Sequence, residues 1–265
     1  MLKNANGFTI IELLVAVLLA AIVTGSAMEL YITQHKQLLV QDQVSDMQSN
    51  IRAAESEIVK QVKMAGYKVP NNFTSLMNSN TNPDTMFIAY NCDINNIQLA
   101  HAMPQPSSEL RCDGYDVSSL HDGEWAYIYD PFTKTGEYFY INQVQNSNHL
   151  MHHQDLSKCY PVGSVILKMN FYKFYIDQPT AVHPNLMVQY NGQAPQIYAE
   201  NITGLNIQFV LTSGAIVDVP TVQDMIREVI IRVDARTDQI DQQFPSQYRT
   251  RTLTSRVKVR NIGVN

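Results

Sequence analysis

The hydrophobic pattern divides the chain into three regimes. The first is a nearly unbroken apolar run, Phe8 to Met28, within the stretch GFTIIELLVAVLLAAIVTGSAM. As a helix rising about 1.5 Å per residue, these 21 residues just span the hydrocarbon core of a bilayer. From Glu29 onward the composition turns polar, but helical periodicity persists. Val40, Val44, Met47, Ile51, Ala54, Ile58, Val62 and Ala65 recur at spacings of four and three, with Asp42, Gln48, Arg52, Glu55 and Lys60 on the other face. No proline interrupts this pattern, Gly66 is placed to cap it, and Pro70 cannot continue it. The spacing predicts one helix from about Phe8 to Ala65. Its first half is suited to lipid, and its second half is suited to covering a sheet.

The third regime reads as strands. Residues 67–125 are broken by Pro70, Pro83, Pro104 and Pro106, with short apolar pieces such as TMFIAY and NIQLAHA. Strand character then strengthens through EWAYIYD, EYFYINQVQ and SVILKMNFYKFYID, rich in β-branched and aromatic residues. Alternating segments follow: NLMVQYN, PQIYAENI, LNIQFVLT, EVIIRVDART and LTSRVKVRN, with Gly192, Gly204 and Gly214 read as turns between them. The expected fold class is α+β: one long N-terminal helix on a largely antiparallel sheet, one face of which takes the helix stripe.

Glu12 sits inside the first apolar run, where a carboxylate costs roughly 2.5 kcal/mol or more at a bilayer centre. A cleavable signal peptide accounts for Lys3 and for the small residues Gly25-Ser26-Ala27, but gains nothing from a buried acid. An acid snorkelling to the headgroups near a helix end is physically reasonable. The residues Gly7-Phe8-Thr9-Ile10-Ile11-Glu12-Leu13 closely resemble the processing site of type IV pilins and pseudopilins. The resemblance implies a leader, residues 1–7, removed by a prepilin peptidase after Gly7, and N-methylation of the exposed Phe8. It further implies a membrane and filament-core helix over 8–28, an amphipathic stem over 29–66 and a β-rich globular domain over 67–265. Glu12, one helical turn from the new Phe8 amine, would neutralise that charge in its own subunit or a neighbour and so set assembly register. The order AENITGLNIQFVLTSG, REVIIRVDARTD, RTLTSRVKVRNIG further resembles PilW-like and PulJ-like minor pilins. Many major pilins carry a Gly and a Pro in the helix that permit local melting, where this chain has Ala21 and Glu29.

The function this resemblance implies is that of a minor pilin that primes or joins a type IV pilus. Its partners would be the major and other minor pilins, the prepilin peptidase and the inner-membrane assembly platform. Its β domain would stand in the periplasm, and the subunit would enter an extracellular or periplasmic filament. A minor pseudopilin of a type II secretion system is built alike. A secreted binding or adhesion module, released after Ala27, is the reading from a different class.

Composition changes this picture little. The 265 residues are 45% hydrophobic and 16% charged, and a net charge of −5 gives no electrostatic footprint for nucleic acid. Three cysteines, Cys92, Cys112 and Cys159, admit either a loop-closing Cys92–Cys112 bridge with one thiol left over or three unpaired thiols. His149, His152 and His153 lie close together in NHLMHHQD but lack a further ligand for a metal, and read as a polar loop. Asp113, Asp116, Asp122 and Glu124 lack the EF-hand spacing. Trp125 and the Tyr-rich strands read as core and sheet-surface residues. The sequence shows no phosphate loop, nucleophile elbow or H-E-x-x-H, so neither an enzyme nor a cofactor is expected.

Overall fold

The computed structural model describes residues 9–70, 73–93, 95–145, 148–177, 183–241 and 247–263. The chain forms two compact units, Met1–Asp46 and Met47–Asn265. Helix α1 runs Ile10–Met64 without a break, through Ala21 and Glu29. It is followed by β1 (Leu76–Asn78), β2 (Met86–Tyr90), β3 (Ile97–Gln98), β4 (Leu110–Arg111) and β5 (Trp125–Asp130). Next come β6 (Thr135–Gln145), β7 (His149–His152), β8 (Val165–Lys168), β9 (Asn170–Asp177) and β10 (Asn185–Tyr190). The chain ends with β11 (Gln196–Glu200), β12 (Ile202–Leu211), β13 (Ile216–Val217), β14 (Ile226–Arg236) and β15 (Thr250–Lys258).

The expected single sheet is three, all antiparallel: β1-β2-β9-β10-β11, β13-β12-β14-β15 and β3-β8-β5-β6-β7-β4. The segment SVILKMNFYKFYID, read as one strand, breaks at buried Met169 and gives β8 and β9 to different sheets. Tyr90 of β2 pairs with Asn170 of β9, so everything between them is an insertion into the five-stranded sheet. That insertion is the six-stranded sheet. The Ala100 amide donates to the Arg111 carbonyl at 2.8 Å, tying the β3 end to the β4 edge, so the sheet curls upon itself. It encloses its own core, including Leu99, Leu110, Ile128, Phe139, Leu150 and Tyr160.

Within the second unit the predicted helix stripe is buried from Met47 through Ile51, Ala54, Ile58, Val62 and Ala65. Hydrogen bonds place this half of α1 against both remaining sheets. Tyr90 of β2 donates to Gln61 Oε1 at 2.8 Å, and Ser255 of β15 donates to Glu55 at 2.5 Å. Gly66 ends the helix in the left-handed region at φ +78, as a C-cap requires. A Cβ there would lie 2.7 Å from Ile262 Cγ1 and 2.9 Å from the Asn261 carbonyl oxygen, so the C-terminal tail closes directly over the glycine. Gly192 and Gly214 are turn residues with positive φ. Gly204 instead lies inside β12 at a register shift, where a Cβ would meet the Asp234 carboxylate at 2.9 Å.

The cysteines are free thiols, and the Cys92–Cys112 bridge is not formed. Cys112 is fully buried in the core of the inserted sheet, whereas Cys92 is exposed. Burial pushes the Cys112 thiol up to about 12, which keeps it protonated and a poor nucleophile.

Two buried or nearly buried acids fix the sheets to their surroundings. Asp84, buried at the open edge of β12, accepts the Ile207 amide at 2.7 Å and Asn78 Nδ2 at 3.1 Å, while its own amide donates to Leu205. Replacing it orphans a buried N–H, so Asp84→Ala should lower unfolding stability by about 1–3 kcal/mol, measured by chemical denaturation. An unchanged midpoint would show that this edge is not held by Asp84. Asp130 ends β5 and accepts the Phe132 and Thr133 amides, the Thr133 hydroxyl and, at 2.8 Å, Lys158 Nζ. Burial alone would raise its pKa, but the Lys158, Thr133 and backbone hydrogen bonds outweigh it and hold the carboxyl at about 2. A depressed folded pKa stabilises above the unfolded value near 4 and ceases to do so as pH falls through the folded one. Wild-type stability should therefore decline between about pH 4 and pH 2. Asp130→Asn should be less stable at pH 7 and show a shallower decline in thermal melts across that window.

Candidate N-terminal processing and assembly site

The segment that carries the sequence signal is the start of α1. Gly7 and Phe8 lie outside the described residues. Thr9 is the residue before the helix, and Glu12 lies in its first turn. Together they form a capping box. The Thr9 hydroxyl accepts the Glu12 amide at 3.2 Å, while Glu12 Oε2 accepts the Thr9 amide at 2.9 Å and the Thr9 hydroxyl at 3.0 Å. The first helical amides have no intrahelical partners, and a carboxylate among them is also favoured by the helix dipole. Glu12 thus has a local role that the sequence reading missed. The signal was present in Thr9-Ile10-Ile11-Glu12, the S/T-x-x-E pattern ahead of an apolar run.

Behind this cap the helix surface is apolar all round. Ile10 and Ile11 are 79% and 73% exposed, and Leu14, Leu18, Ile22 and Val23 are similarly bare. Among the described residues one helix is long and apolar enough to cross a membrane, and none of its most apolar window is buried. In a soluble protein a core helix this apolar would have that surface covered. Within this stretch Thr24 Oγ1 donates to the Ala20 carbonyl at 2.8 Å, so that hydroxyl is paired inside the helix itself.

The other constellations noted in the sequence serve structure. Within NHLMHHQD, His149–His152 form β7 instead of a loop, with Leu150 buried in the inserted core, while His153 lies beyond the strand. His149 Nε2 lies 3.1 Å from Asp113 and Nδ1 lies 3.4 Å from Glu109, while His152 sits between the Gln154 and Ser108 carbonyls. The His149 hydrogen bond, aided by Arg111 and His101, holds Asp113 below the usual carboxylate range. Asp122 accepts the Val144 amide at 2.7 Å, and Glu124 pairs with Lys168 at 3.2 Å. Asp116 accepts the Ser118 amide at 2.9 Å. These acids turn towards separate partners, and among the described residues no three His, Cys, Asp or Glu side chains form a metal-binding group.

No curated protein matches the chain. Residues 2–28 match the family described as the prokaryotic N-terminal methylation motif. The match covers Gly7, Phe8, Glu12 and the apolar run, and it supports a type IV pilin-like protein acting in pilus or secretion assembly. One exposed apolar helix, capped by Thr9 and Glu12, therefore carries the N-terminal methylation motif of type IV pilin-like prepilins.

Proposed function

We propose that this chain is a minor pilin of the PilW-like kind, which primes or takes part in type IV pilus assembly. A prepilin peptidase cuts after Gly7, Phe8 is N-methylated, and the helix holds the subunit in the inner membrane with the β domain in the periplasm. Major and other minor pilins, together with the assembly platform, then draw it into a filament. The observation that carries this reading is the coincidence of the methylation motif with an apolar helix whose surface is bare. The antiparallel succession β12, β14 and β15 supplies the strands on which the PilW-like resemblance rests. A minor pseudopilin of a type II secretion system shares the same N-terminal motif. The neighbouring genes, of a pilus or a secretion operon, separate the two.

Cleavage after Gly7 would create an ammonium on Phe8, and the Glu12 carboxylate lies one turn away. Each charge is costly alone among apolar helices, so the pair is favoured wherever such helices bundle. The capping contacts with Thr9 hold the carboxylate at the helix start, where that amine would appear.

N-terminal sequencing of the mature protein should return N-methyl-Phe8. A chain beginning at Met28 would replace this reading with the secreted module. Gly7→Val should leave the full-length precursor in the membrane, and normal processing of that variant would overturn the prepilin assignment. Glu12→Val should be cleaved and accumulate in the membrane, because it removes a charge from lipid. It should nonetheless be depleted at least several-fold from sheared filaments or reduce filament number. Normal incorporation and normal piliation would remove the register role from Glu12.

A further inference from the structure

The five-stranded sheet presents one face to α1 and turns the other towards the inserted sheet. Strand register aligns Met77, Phe87, Lys173 and Gln189 as one cross-strand row on that second face. The next row back pairs Ala89 with Phe171. Trp125 of β5 and Tyr138 of β6 face this row from the inserted sheet, and between them lies a cavity of about 360 Å³. The floor is fixed by an aromatic cluster, in which Phe73 meets Tyr127 at 4.8 Å and Tyr138 at 5.8 Å. Reading Trp125 as an ordinary core or sheet-surface residue is therefore incomplete. It is 43% exposed and lines a cavity that neither sheet forms alone.

The polar groups in the lining are mostly committed elsewhere. Asn191 Oδ1 accepts the Phe171 amide at 2.8 Å, and Gln189 Nε2 donates to the Gln193 carbonyl at 2.9 Å. Lys173 differs. Its ammonium stacks over the Phe87 and Tyr175 rings at 5.8 and 4.8 Å. Lys158 and Lys168 pair with Asp130 and Glu124, but Lys173 has no such carboxylate among the described residues. The cavity is thus aromatic and apolar, with one cation at its wall and no carboxylate to neutralise it.

We propose that this cavity binds a small carboxylate with an aromatic or short aliphatic body. The body is buried among Phe87, Phe171, Trp125 and Tyr138, and the carboxylate is paired with Lys173. The volume falls within the range of small-ligand pockets and equals that of about a dozen waters, enough for a phenylalkanoate. This proposal is independent of the role assigned to Glu12.

The chain contains a single tryptophan, so Trp125 is a reporter built into the site. The full-length protein in phosphatidylcholine vesicles is titrated with 4-phenylbutyrate and, separately, with the uncharged 4-phenylbutan-1-ol, following tryptophan emission. A saturable change is expected, with the acid bound about tenfold more tightly than the alcohol, as a hydrogen bond to a charged group warrants. Lys173→Met should abolish that preference and Lys173→Arg should preserve it. Equal binding of acid and alcohol by the wild-type protein would overturn the carboxylate assignment without needing any variant. A linear, non-saturating response to both compounds would overturn the site itself. Retention of the acid preference in a folded Lys173→Met protein would equally refute the role of Lys173.

Discussion

A helix whose apolar stripe is buried by protein only from Met47 onward must find another apolar environment for the turns before it. This constraint organises the molecule. Between Met47 and Ala65 the demand is met by sheet, and the hydrophobic contact is reinforced by polar ties to β2 and β15 from Gln61 and Glu55. Between Ile10 and Ile32 none of the described residues covers the surface, and the exposed leucines, isoleucines and valines run all round the helix instead of along one stripe. Hydrophobicity on every face of a helix fits lipid or a bundle of like helices, whereas a stripe fits one flank of a domain. The same element therefore presents two kinds of surface, and the pattern changes from one to the other after Met28.

Where the sequence was readable, periodicity did the work. The helix, its stripe and its Gly66 cap followed from spacing alone, and the strands richest in β-branched and aromatic residues lie where alternation placed them. Pairing was not readable, because alternation reports which residues face a core and not which strand lies alongside. Tyr90 and Asn170 are partners across 80 positions, and no local signal announces that the intervening chain is an insertion. The break at Met169 was hidden because its hydrophobic side chain continues the apolar run on both sides. β1, β3 and β4 contain only two or three residues, too few for any period to register. The histidines of β7 were misread for a related reason. Their polarity signals a loop, yet Leu150 between them enters the core and commits the segment to a strand.

The site was legible in a different way. Its information is compressed into spacing, from Gly7 to Phe8 to Glu12, and that spacing needs no tertiary context. The missing part was Thr9, a residue too common to draw notice until its hydroxyl and amide are seen bound to the same carboxylate. The cavity beside Trp125 was not legible, because its two walls belong to different sheets, and their apposition depends on the β2–β9 pairing.

Three sheets in one domain also create edges, and exposed edges invite pairing with other chains. Amide and carboxylate side chains close several of these edges. Gln223 donates to the Leu76 carbonyl and accepts the Leu76 amide, so its side chain occupies the free edge of β1 as a strand would. Asn78 and Asp84 do the same along β12, binding the carbonyl and the amide of Ile207. Asn261 donates to the carbonyls of Lys63, in the last turn of α1, and of Ala65 just beyond it, closing the helix end ahead of Gly66. The inserted sheet is joined to the five-stranded one through the adjacent strands β2 and β9 and through Phe73, which packs on Tyr127 and Tyr138. A module with its own core, entering and leaving at paired residues, can change its surface without disturbing the helix or the two sheets that cover it. The cavity beside Trp125 lies at that seam, lined from the five-stranded sheet by Phe87 and Phe171 and from the inserted sheet by Trp125 and Tyr138.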